Sequence, residues 1–152
     1  MIFVTVGTTH FDPLIEVVDT LVADGQLAGP IIFQIGSGRY EPKNGSFFRF
    51  KPSIDEELDA ADLVITHGGI TVLSLLAQRK RFVAVANTAL ADDHQTHYLA
   101  FLEKQSTIVW TNDLGAIGEC VAGVLDSEPA RLEAPSLVSD LLEYFGVVTN
   151  ES

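Results

Sequence analysis

Short, nearly unbroken apolar runs recur along this chain, and each stops at a glycine or at polar residues: Ile2–Val6 before Gly7, Ile31–Ile35 before Gly36, Leu63–Thr66 before His67, and Phe82–Ala86 before Asn87. A strand with one face in water alternates apolar and polar residues. Runs without that alternation belong to strands covered on both faces, as in parallel sheets. The segments between them carry helical spacing: Phe11, Leu14, Ile15, Val18 and Leu21/Val22 recur over Phe11–Ala23, and Ile70–Gln78 and Asp92–Lys104 have helical composition. Phe47–Phe50 reads as a further short strand, and Ser53 or Asp55 caps a helix running to about Ala60. Thr107–Trp110 reads as a last strand, Leu114–Leu125 as the helix behind it, and Ser127–Pro135 as a loop. Leu137–Phe145 reads as a terminal helix stopped by Gly146. Strands alternating with helices in this way predict an α/β fold, a Rossmann-like parallel sheet with helices on both faces.

Length allows one domain over residues 1–152 and no second one. With 47% hydrophobic residues and nine Phe, the chain has enough apolar surface to build a core. The net charge of -12, with only nine Lys and Arg, argues against nucleic acid and against direct docking on anionic lipid. The single cysteine, Cys120, excludes an internal disulfide and suits a reducing, cytoplasmic setting. Met1 leads straight into an apolar strand, which does not read as a signal peptide, and no apolar run approaches the length of a membrane span.

In a parallel sheet the loops at the carboxyl ends of the strands form the ligand-binding rim. Four such loops here are small or polar: Gly7-Thr8-Thr9-His10, Gly36-Ser37-Gly38, His67-Gly68-Gly69 and Asp92-Asp93-His94-Gln95. Gly7-Thr8-Thr9 offers a sharp turn, backbone N–H groups and two hydroxyls before a helix, a combination suited to a diphosphate; an ordinary tight turn explains the same residues. Glycines after His67 would let a phosphate or sugar approach the backbone while the imidazole donates a hydrogen bond. An esterase oxyanion loop has a similar tripeptide, but no G-x-S-x-G nucleophile elbow accompanies it. Gln95 could take sugar hydroxyls, whereas Asp92 or Asp93 could simply cap the helix. His94 and His97 with Asp92 have metal-compatible spacing but no further ligand cluster, so no metal site is assigned. Asp55-Glu56-Glu57 and Glu41 read as solvated surface.

Three stretches, FVTVGTTHFDPLIEVVD (Phe3–Asp19), FQIGSGRYEP (Phe33–Pro42) and ADLVITHGG (Ala61–Gly69), make the chain resemble the carboxyl-terminal, donor-binding domain of glycosyltransferase family 28. The likeness runs from Met1 to about Leu125. It is similar in particular to the small subunits of two-part members acting on dolichol-linked or bacterial exopolysaccharide acceptors. The resemblance implies one half of a two-domain (GT-B type) enzyme: the UDP-sugar-binding catalytic subunit of a two-component inverting glycosyltransferase acting on a lipid-linked or polysaccharide acceptor. It implies a membrane-associated partner that binds the acceptor, no cofactor or metal, and attachment to the membrane only through that partner. By position, Gly7, Thr8 and Thr9 would lie at the diphosphate, Ile54 at the uracil, His67, Gly68, Gly69 and Thr71 at the mouth of the donor pocket, and Asp93, His94 and Gln95 at the sugar. His10 is the candidate general base from this chain, and the base could equally belong to the partner. The sequence departs from the family pattern at Leu75, where a glutamate would hold the ribose, at Thr71 for a glycine, at Asp93 for an asparagine, and at Lys80-Arg81-Phe82 for Gly-Lys-Pro. Leu75 supports the alternative of a non-catalytic accessory subunit. The apolar stripe predicted for residues 136–146 could meet a partner, pack on its own domain, or support a homo-oligomer.

Overall fold

The computed structural model describes residues 1–69, 71–89 and 93–131. Six parallel strands form one sheet, β1 (Ile2–Thr5), β2 (Ile31–Gln34), β3 (Ser46–Phe48), β4 (Leu63–His67), β5 (Phe82–Val85) and β6 (Trp110–Thr111), in the spatial order β3-β2-β1-β4-β5-β6. The helices are α1 (Asp12–Ala23), α2 (Asp55–Ala60), α3 (Thr71–Ala77), α4 (His94–Glu103) and α5 (Ile117–Leu125), the last preceded by a 3-10 turn at Leu114–Ala116.

Alternate residues of the central strands feed two separate cores. Val4, Ile65, Val83 and Val85 pack with Leu14, Ile15 and Val18 of α1 and with Ile117, Val121 and Val124 of α5. Phe3, Val64 and Ala84 pack on the other face with Leu58 of α2, Val72, Leu75 and Leu76 of α3, and Leu99 and Leu102 of α4. Both faces are thus covered, which is why these strands carry no polar alternation. Crossovers run outward from β1 on both sides, so the chain reverses direction across the sheet between β1 and β4. The crevice above their carboxyl ends is the topological switch point, where ligands of such sheets bind.

One buried carboxylate fixes the β2–β3 connection. Asp19 of α1 is 2% exposed and accepts hydrogen bonds from the Tyr40 hydroxyl (2.6 Å), the backbone N–H of Lys43 (3.0 Å) and Asn44 (2.9 Å), and the Asn44 amide (2.9 Å). Burial pushes its pKa up, but these donors outweigh burial and hold it below the usual carboxylate value. The partner phenol of Tyr40 is correspondingly pushed up to about 12.

Two expectations are corrected here. The last strand pairs at Trp110–Thr111, not over Thr107–Trp110. Thr107 is drawn away from the sheet, its N–H donating to the Arg131 carbonyl (3.0 Å) while its hydroxyl oxygen accepts from the Arg131 N–H (3.0 Å). Glu57 is not solvated surface: it is 6% exposed, and Lys51 (2.5 Å), which lies over the Phe48 ring, holds its pKa down. The helix expected over residues 136–146 lies outside the described residues.

Candidate functional site

The loop after β1 turns at Gly7, whose φ of 64° lies in the left-handed region that glycine tolerates. Its N–H donates to the Thr5 hydroxyl (3.0 Å), which in turn donates to the Gln34 side chain (2.5 Å); Thr66 ties β4 to the same point by donating to the Thr5 carbonyl (3.1 Å). The loop then locks onto the one after β2. Ser37 N–H donates to the Thr9 carbonyl (3.1 Å), and Arg49 reaches the carbonyls of Gly36 (3.1 Å) and Gly38 (2.5 Å). Gly36 has φ 58°, and a Cβ there would stand 1.9 Å from the Thr9 oxygen, so no other residue fits. Thr8 and Thr9 are exposed on this braced turn. The Thr9 hydroxyl donates within the turn, to the Val6 carbonyl (2.9 Å).

The loop after β4 crosses to face the first. A Cβ on Gly7 would lie 3.5 Å from His67 Nε2, and one on Gly69 would lie 2.5 Å from His67 Cε1. The Nε2–Cε1 edge of the imidazole therefore sits between the two glycine turns, at the switch point. Gly68 is glycine for another reason: a Cβ would meet Leu99 at 3.0 Å and Gln95 at 3.1 Å, so α4 packs directly on the backbone. Gln95 was expected to contact sugar, and the structure gives its amide other partners. It is 6% exposed, its oxygen accepts from the N–H of Gly68 (3.1 Å) and Asn87 (2.9 Å), and its nitrogen lies 3.1 Å from His67 Nδ1. Burial alone holds the His67 pKa down to about 4, so the ring is neutral at physiological pH.

The remaining residues spread along the same rim. Thr71 opens α3 and is half-buried; Ile54 precedes α2, where its carbonyl accepts from Leu58 (2.9 Å), and packs on the second core. Asp93 stands before α4 with φ 47° and accepts from the Thr96 hydroxyl (2.7 Å), which is a local structural role. His94 and His97 are exposed; no three metal-ligating side chains converge among the described residues, and Asp92 lies outside them. His10 is exposed, with Nδ1 3.5 Å from the Ser37 hydroxyl, and borders a cleft of about 580 Å³. That cleft brings Asn87, Thr88, Asn112 and Asp113 beside the first loop, residues the sequence reading did not single out. Their signal was available: each pair follows the end of a parallel strand with polar side chains. Leu75 is fully buried in the second core, so a carboxylate there would be a charge among apolar neighbours.

A parallel sheet in this strand order, with glycine turns meeting where it reverses, defines a doubly wound α/β domain with its ligand crevice above β1 and β4. Within that class the chain belongs to glycosyltransferase family 28, its residues 1–113 matching the family's C-terminal domain. It is 36% identical over 121 residues, 72% of this chain, to the human UDP-N-acetylglucosamine transferase subunit ALG13, and 35% identical over 122 residues, 71% of this chain, to the mouse protein. The chain spans only 11% and 10% of the length of these two relatives. Among solved structures, Acinetobacter baumannii MurG superposes with a TM-score of 0.59 at 21% identity, covering 82% of this chain and 40% of that one. The solution structure of ALG13 superposes with a TM-score of 0.58 at 21% identity, covering 93% of this chain and 94% of that one. Both are likenesses of fold.

Proposed function

We propose that this chain is the UDP-sugar-binding subunit of a two-component inverting glycosyltransferase that acts on a lipid-linked or polysaccharide acceptor. The observation that carries the reading is the meeting of the Gly7-Thr8 turn and the His67-Gly68-Gly69 turn across the switch point, in a chain of this family. A diphosphate lying there would meet the backbone of the first turn and the His67 ring, both braced before the ligand arrives, and the exposed Thr8 hydroxyl. The acceptor hydroxyl attacks the anomeric carbon from the side opposite the diphosphate, forming the new glycosidic bond as UDP leaves, so the configuration inverts. The acceptor's proton passes to a base, His10 in this chain or a residue of the partner. Charge developing on the leaving diphosphate is met by fixed N–H and O–H donors, and in this reading no metal is required.

The acceptor face and the membrane contact belong to a membrane-associated partner. Among the described residues no helix is long and apolar enough to cross a membrane, and the chain's own charge of -12 opposes anionic lipid. In this reading the subunit is cytoplasmic and peripheral. A second reading rests on Leu75: an accessory subunit that keeps the fold while lacking the carboxylate the family pattern uses for the ribose. Calorimetric titration with UDP, UDP-N-acetylglucosamine, UDP-glucose, UDP-galactose and UDP-glucuronate separates the two. Saturable binding of one donor, weakened by Thr8→Ala, is the expected result. Absence of binding at millimolar donor, with and without the partner, would favour the accessory role.

A further inference from the structure

Gln95 and His67 form a unit whose proton positions follow from the backbone. The two N–H groups that reach the Gln95 side chain, from Gly68 (3.1 Å) and Asn87 (2.9 Å), can only donate, so the atom they share is the amide oxygen. The other terminal atom is then the NH2 group, and it can only donate to His67 Nδ1, 3.1 Å away. Nδ1 must carry a lone pair. In a neutral ring the proton therefore sits on Nε2, the atom lying between Gly7 and Gly69, and among the described residues nothing accepts it. The loops after β4 and β5 converge on one amide, and that amide dictates what the imidazole offers to the crevice.

We propose that Gln95 is a positioning residue that locks His67 in its Nε2–H tautomer, making the imidazole a neutral hydrogen-bond donor to the diphosphate of the donor nucleotide. This deepens the donor-site reading and rests on it. Gln95 thus acts on the diphosphate through His67. No charged group contributes to the low basicity of the ring, and protonation would also set an Nδ1–H against the amide NH2. The donated hydrogen bond consequently persists without a change of charge from about pH 5 upward.

The test uses the full chain, labelled with 15N, and UDP as probe. Two-bond proton–nitrogen spectra of the wild type are expected to show only the Nε2–H tautomer of His67 between pH 5 and 8, with the Nε2 proton shifting when UDP binds. Gln95→Glu keeps an oxygen for Gly68 and Asn87 but replaces the NH2 by an acceptor, which should move the ring proton to Nδ1. The lone pair then facing the diphosphate should weaken UDP binding at pH 8 by about tenfold or more, with recovery toward pH 6 as the imidazolium restores an Nε2–H. An Nδ1–H or mixed tautomer in the wild type overturns the proposal even if Gln95→Glu does not fold. So does UDP binding that leaves His67 unmoved, or a tautomer switch without loss of affinity, and in these cases the donor-site reading survives. If the wild type keeps the Nε2–H tautomer yet shows no UDP binding at millimolar concentration, the donor-site reading falls and the ligand half of the proposal falls with it.

Discussion

Replacing Gly36 with alanine would drive a methyl group into the Thr9 carbonyl, which stands 1.9 Å from the position of that carbon, on a backbone already at φ 58°. The loops after β1 and β2 would have to part, and the expected loss is about 2–4 kcal/mol of stability, read by urea unfolding. His67 makes a pH-dependent prediction. Its pKa falls from 6.5 to about 4 on folding, so between these values the unfolded chain binds a proton that the native chain refuses. Stability from this residue is fully present above pH 6.5 and is lost as pH falls to 4, by at most about 3 kcal/mol. Unfolding curves across that window should show a shallower acid slope for His67→Asn than for the wild type. The glycines of the rim could be read in the sequence as freedom to turn. That Gly68 is glycine because α4 presses on it could not, since Gln95 and Leu99 lie far along the chain.

At the scale of elements, the Asp19 cluster holds the connection that sets β3 beside β2. Asp19→Asn removes the charge that four donors converge on and is expected to cost about 1–3 kcal/mol, measured by urea unfolding at neutral pH. Because the Asp19 pKa is lowered on folding, its contribution is present above the ordinary carboxylate value of 3.8 and lost as pH falls through the lower folded value. The α1 repeat gave no hint of this role; Asp19 falls between Val18 and Leu21 in an apolar helix, and its partners arrive from residues 40–44. The strands of the central sheet were legible to within a residue or two, because burial on both faces writes itself as unbroken Val, Ile and Phe. Trp110–Thr111 was shifted because Ile108 and Val109 continue the apolar run, and only the Arg131 bond to Thr107 shows where pairing begins.

At the scale of the whole molecule, the net charge of -12 repels itself more in the folded state than in the expanded one. Raising salt from about 0.01 to 0.15 M shortens the screening length from about 30 to 8 Å, and the melting temperature should rise with it. The same field predicts that the chain alone does not sediment with anionic vesicles at low salt.

Local composition and spacing set the order of strands and helices and the parallel class of the sheet, while the motifs at Phe3–Asp19, Phe33–Pro42 and Ala61–Gly69 carried the family resemblance. Which strands become neighbours, and therefore which loops meet, was decided by packing between segments far apart in the chain. For that reason several loops of the rim could be anticipated, while the place of Gln95 between the loops after β4 and β5 could not. The Gln95 amide bonds to Gly68 and His67, groups 27 and 28 residues away that only the folded sheet brings within reach.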